Sequence, residues 1–158
     1  LILDQKPKAI YEKALTFIKL NYSTTVEGKE AELILDEVLP AVQNDNFINN
    51  KMSDNYKIIY QFTMESHDEI SSQINDLKQY IDNVDYLDLR VSKDFYNNII
   101  TFVVVHGLKS YDGSLGLAER LEKTIDIQAD SFFVLSSDNY KTIQIHKNLD
   151  KFKTNNLL

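Results

Sequence analysis

The chain of 158 residues contains no cysteine. That absence excludes disulfides, thiol nucleophiles, thiolate metal sites and iron–sulfur clusters, and leaves the compartment open. Glycine (four) and proline (two) are scarce, and no glycine precedes Lys-Ser or Lys-Thr with the spacing of a phosphate-binding loop. No apolar run approaches the roughly 18 residues needed to cross a bilayer, so no direct membrane insertion is expected. A basic excess is also missing. The net charge is −7 and the pI is near 4.9, which argues against nucleic-acid binding and against docking on anionic lipid. The sequence begins at Leu1 with neither Met nor a signal-peptide pattern. It is read as part of a longer chain, with any targeting signal outside it.

What is present is ordinary for a globular protein: 43% hydrophobic and 26% charged residues, enough to bury a core. Residues 1–43 are expected to hold a helical hairpin. Ala9 or Ile10, Ala14, Phe17 or Ile18, and Leu20 recur at helical spacing, and Pro7 suits a first turn. Thr24 or Thr25 can cap a second helix, which carries Ala31, Ile34, Leu35, Val38 and Leu39 on one side and ends near Pro40. Such a pair cannot bury both apolar faces alone, so it has the character of one slice of a helical solenoid. The polar, asparagine-rich stretch 44–55 is the expected linker.

From Tyr56 the period changes to alternation. Tyr56, Ile58, Tyr60 and Phe62 predict a strand. Ser66 and Glu69 form a capping box ahead of the helical stripe Ile70, Ile74, Leu77, Ile81. Leu87, Leu89 and Val91 alternate again, and the run 99–105 is apolar on both faces, as in a central strand. Leu115, Ala118, Leu121 and Ile125 mark the next helix, and 132–135 the fourth strand. The order strand, helix, strand, strand, helix, strand predicts a ferredoxin-like βαββαβ domain over 56–153 with its first and third strands central. The fold class is thus α+β. The tail 138–153 reads either as a helix capped by Ser136 or Ser137, with Thr142, Ile145, Leu149 and Phe152 on one face, or as a further strand. The helix is the favoured reading. Residues 154–158 are expected to be loose.

Chemistry-bearing residues are few. His67, Asp68 and Glu69 are consecutive, so they fan around a helix by roughly 100° each and do not converge on a metal. His106 ends an apolar strand, where a general base can sit, yet no nucleophile or acid accompanies it by motif. His146 lies in a polar run. The Gly113–Gly116 spacing matches a backbone-clamping G-x-x-G turn but lacks basic neighbours, so a helix entry is the simpler account. Asn21-Tyr22-Ser23 fits a glycosylation sequon, a match that arises by chance. Tyr22, Phe95, Tyr96, Tyr111 and Tyr140 fall at element ends, where aromatics anchor partners. Candidate partner-binding residues are therefore Tyr96, His106, Tyr111, Tyr140 and His146. No catalytic residue, metal site or cofactor is expected.

Three segments carry a family resemblance. Ile10-Tyr-Glu-Lys-Ala-Leu with Leu20-Asn-Tyr-Ser-Thr-Thr-Val-Glu-Gly-Lys-Glu-Ala-Glu-Leu-Ile-Leu resembles the end of a tetratricopeptide (TPR) array. Phe102-Val-Val-Val-His-Gly-Leu-Lys-Ser and Phe133-Val-Leu-Ser-Ser-Asp-Asn-Tyr-Lys-Thr-Ile-Gln-Ile-His-Lys-Asn-Leu resemble the C-terminal region of SprE/PorW-like tetratricopeptide lipoproteins. These belong to the type IX secretion and gliding-motility system. The resemblance implies a non-enzymatic periplasmic scaffold, held at the outer membrane through an upstream lipidated cysteine and binding protein partners in an envelope complex. It supplies no catalytic residues. Two other readings share the strand and helix order: a peptidoglycan-binding domain of the sporulation-related-repeat (SPOR-like) class, and a small-molecule regulatory (ACT-like) domain.

Overall fold

The computed structural model describes residues 5–63, 67–84 and 88–154, with backbone alone for 5–8, 67 and 69. The chain divides into two compact units, Leu1–Asp45 and Asn46–Leu158.

The first unit is helical: α1 (Gln5–Asn21), α2 (Val26–Leu33), a π-helical turn (Ile34–Val38) and α3 (Leu39–Gln43). Thr25 caps α2 by accepting a hydrogen bond from the Gly28 amide at 3.1 Å. Gly28 is required there, since a Cβ at that position would lie 1.8 Å from the Tyr22 carbonyl oxygen. The close approach lets α2 fold back on α1 around buried Leu15 and Ala31. Lys19 ties the hairpin externally, 2.7 Å from Asp36 and 3.4 Å from Glu32.

One expectation needs correction in this unit. Pro40 does not end the helix, which continues through α3 to Gln43. A proline inside an α-helix loses an amide donor and crowds the carbonyl four residues back. The wider π turn, in which Leu39 N–H donates to the Ile34 carbonyl, immediately precedes it and opens that crowded geometry. Part of the apolar stripe on α1 faces outward. Ile10, Phe17 and Leu20 are 68%, 59% and 73% exposed.

The second unit is α+β. Its elements are β1 (Tyr56–Thr63), α4 (His67–Asp82), β2 (Arg90–Phe95), β3 (Ile100–Leu108), α5 (Tyr111–Ile125), β4 (Ser131–Ser136), α6 (Ser137–His146) and α7 (Leu149–Thr154). The four strands form one sheet in the order β2-β3-β1-β4, and every neighbouring pair is antiparallel. The inner strands β1 and β3 are the two most continuously apolar segments. Ile99, expected within the central strand, lies just before β3 and is exposed. Ser66 and Leu87 fall outside the described residues, so the capping box and the start of the second strand do as well.

Each face of the sheet is covered. On one side Ile70, Leu77 and Ile81 of α4 and Leu117, Ala118 and Leu121 of α5 pack on Tyr56, Ile58, Tyr60, Val103 and Val105. On the other side Tyr140, Ile143, Leu149 and Phe152 of α6 and α7 pack on Ile59, Phe102, Val104, Phe133 and Leu135. Alternation along the strands sends successive side chains into opposite cores.

The tail is helical, capped by Ser136, whose hydroxyl accepts from the Asn139 amide. Of the face expected to point inward, Leu149 and Phe152 are buried but Ile145 is exposed. Asn139, Tyr140 and Ile143 face inward from α6 instead. Lys147 adopts a left-handed conformation (φ 52°) that stops α6, so Leu149 and Phe152 belong to a separate short helix with its own phase.

The linker is corrected too. Only residues 44 and 45 of the stretch 44–55 lie in the first unit. Buried Asn50 donates to the Val134 carbonyl at 2.8 Å and accepts from the Ser136 amide at 2.7 Å. Asn139 accepts from the Ile48 amide and donates to its carbonyl. Phe47 stands edge-on to Phe152 with centroids 5.0 Å apart.

Candidate functional site

The most concentrated polar chemistry lies where β1, β2 and β3 meet α6. Two steps along β1, from Tyr56 to Ile58, match three along β3, from Leu108 to Val105. The extra residue is a bulge at His106-Gly107, opposite Lys57. Gly107 has φ +94°, and a Cβ there would lie 2.0 Å from the Asp88 carbonyl oxygen. Only glycine accepts both conditions. Bulges of this kind re-aim neighbouring side chains. Here Lys57 Nζ comes to 3.1 Å from His106 Nδ1.

A continuous chain of hydrogen bonds follows. His106 Nε2 lies 2.7 Å from Ser92 Oγ. Ser92 donates to Asp94 Oδ1 at 2.8 Å, Tyr140 donates to Asp94 Oδ2 at 2.6 Å, and Gln144 donates to the Tyr140 oxygen at 2.8 Å. The directions are fixed by chemistry. An ammonium has no lone pair to offer, so His106 Nδ1 accepts and Nε2 carries the proton toward Ser92. The imidazole therefore donates to the serine and holds no lone pair with which to take its proton. Arg90 stands opposite His106 in the β2–β3 register. Burial, then Lys57 and Arg90, push the His106 imidazole down to about 4. Burial and Arg90 also lower the Lys57 ammonium. Burial and the bond to Asp94 raise the Tyr140 phenol.

The expected partner-binding residues do not form one surface. Tyr96 and Tyr140 are buried, contrary to their expected role at a contact surface. The Tyr96 hydroxyl accepts from the Leu149 amide at 3.0 Å, and Lys147 lies over its ring. Both tyrosines serve to dock the tail helices, because their rings fill the core while their hydroxyls reach polar groups at its rim. Only His106 and Tyr140 join the same network. Tyr111 is half-buried against Tyr56, with Lys51 above its ring. His146 sits in the last turn of α6. Tyr22 and Phe95 are exposed.

Sequence reasoning missed Lys57, Arg90, Ser92, Asp94 and Gln144. The alternation of 90, 92 and 94 on one face was available as a signal, but the partner strand was not.

A second feature is a cavity of about 370 Å³ at the start of α5, lined by Gly107, Lys109, Ser110, Gly113, Ser114 and Arg120 among others. Ser110 caps the helix by accepting from the Gly113 amide, which is the helix-entry role expected for the glycine-rich turn. Among the described residues no cluster of His, Asp and Glu could hold a metal ion, and no helix is long and apolar enough to cross a membrane. The chain matches no protein-family model, no curated protein and no solved structure.

Proposed function

We propose that this chain is a non-enzymatic, protein-binding scaffold segment: a TPR-like helical hairpin followed by a ferredoxin-like βαββαβ domain closed by C-terminal helices. The observation that carries the proposal is the apolar surface of the hairpin. Ile10, Phe17, Leu20, Val26 and Leu33 are each at least half exposed, more than isolated surface residues require. A two-helix slice meets this situation when further helices or a partner stack on it. The strand order β2-β3-β1-β4, antiparallel throughout, supports the ferredoxin-like reading of the second unit. The resemblance to type IX secretion lipoproteins supports a periplasmic, outer-membrane-associated setting.

A photo-crosslinking amino acid placed at Phe17 or Leu20 of the full-length protein in cells tests this. Adducts with envelope proteins, absent from the same probe at exposed Lys13, are expected. No adduct above that control, or adducts with cytoplasmic proteins alone, overturns the proposal.

The cavity beside Lys109, Ser110 and Arg120 favours one second reading, a small-molecule regulatory domain. A thermal-shift screen against a metabolite panel separates it, since a ligand at 100 times its dissociation constant adds about 2.7 kcal/mol. The glycan-binding reading needs an open sheet face. Cover by α4 and α5 on one side and by α6 and α7 on the other weighs against it.

A further inference from the structure

The two edges of the sheet are treated differently. An edge strand presents a row of outward N–H and C=O groups that can pair with another chain. On β4 that row is plugged from within the molecule. The Asn50 amide donates to the Val134 carbonyl and accepts from the Ser136 amide, as a neighbouring strand would at residues two apart. The opposite edge is β2, six residues that among the described residues pair with β3 alone. It contains neither proline nor a bulge. Phe95 at its end and Ile99 just before β3 are 70% and 63% exposed.

The charge on this edge is distinctive. In a chain of net charge −7, Arg90 and Lys93 lie on β2 itself, and Lys57 of β1 adds a further cation behind them at His106 of β3. Lys57 and Arg90 are close enough for Arg90 to lower the Lys57 ammonium. Neither of these two cations belongs to the ion pairs that Lys19 makes with Glu32 and Asp36, and the Lys57 ammonium sits against the His106 ring instead. The single acidic residue of the strand, Asp94, has its two oxygens taken by Ser92 and Tyr140. Asp94 offsets the repulsion between Lys57 and Arg90 only in part, since the net effect on the Lys57 ammonium is still downward, and an arriving carboxylate relieves it further. A second copy of the same strand would bring Arg90 and Lys93 against like charge.

We propose that the β2 edge receives an extended acidic segment of a partner protein. The segment adds as a fifth strand through main-chain hydrogen bonds, with a carboxylate placed on Arg90 and apolar side chains against Phe95 and Ile99. This site is separate from the apolar hairpin surface, and either can fail without the other.

The test is an NMR titration of the ¹⁵N-labelled full chain with a synthetic peptide of alternating Glu and Val, long enough to span β2. Amide shifts concentrated on Arg90–Phe95 are expected. The Lys and Val counterpart should bind at least about tenfold more weakly, the size of one close charge pair. Arg90→Glu should weaken the acidic peptide by a similar factor. The same acidic peptide N-methylated on alternate amides should not bind, because it cannot pair with a strand. Shifts centred elsewhere, equal binding of the lysine peptide, or equal binding of the N-methylated peptide would each overturn the proposal.

Discussion

His106 is held neutral by its setting, and this has a measurable consequence for stability. In the folded chain its imidazole titrates at about 4, against an ordinary value of 6.5. As pH falls through this interval the unfolded chain takes up a proton that the folded chain does not. The stability linked to His106 is therefore fully present above about pH 6.5 and is lost progressively toward pH 4. Because the ring is only half-buried, solvent screening reduces the effect to roughly 1–2 kcal/mol. Urea titrations of the parent and of His106→Gln across this range should show a smaller loss for the variant. Parallel losses would mean that other groups carry the pH dependence. Tyr60 poses the opposite case. Its ring is fully buried beside Phe132, and its hydroxyl has no hydrogen-bond partner among the described residues. An unsatisfied buried hydroxyl costs about 1–3 kcal/mol. Tyr60→Phe should accordingly raise the unfolding free energy by about 1 kcal/mol, seen as a higher denaturation midpoint at unchanged slope. A loss of that size would show that the hydroxyl has a partner in solution.

At the scale of elements, legibility in the sequence followed how local the cause was. The stripe Ile70, Ile74, Leu77, Ile81 lies within one uninterrupted helix, so its period was visible and its residues face the core. The run that became β3 is apolar on both faces because cores lie on both sides of the sheet, whereas β1 alternates and gives the second core Ile59 alone. The tail broke the same logic. Reading Ile145, Leu149 and Phe152 as one face assumes a continuous helix, whereas left-handed Lys147 resets the phase between α6 and α7. Pro40 misled for a related reason, since the π turn that precedes it is not encoded by a residue pattern with a known signature. The polar network was least legible. Lys57, Ser92, Asp94 and Gln144 are dispersed along the chain, and only strand register and the bulge at His106-Gly107 bring them together.

At the scale of the molecule, the boundary between the two units falls between Asp45 and Asn46, ahead of most of the asparagine-rich stretch. The second unit has its own two cores, and residues 46–55 are part of it despite a composition suited to a linker. Asn50 and Asn139 explain why. Asparagine offers a donor and an acceptor on one short side chain, so a polar segment can be stitched to a strand edge as firmly as an apolar one to a core. A protein comprising residues 46–158 should therefore fold cooperatively and keep the amide spectrum of the same residues in the longer chain. One starting at Asn55 keeps every strand but loses the Asn50 bonds to Val134 and Ser136 and the Phe47 ring against Phe152. Two buried hydrogen bonds and a partly buried aromatic together put the expected loss at roughly 2–4 kcal/mol. Chemical denaturation of the two proteins measures the difference directly. Equal stability would return residues 46–54 to the status of a tether, and would reopen the β4 edge as a second place for a partner strand to add.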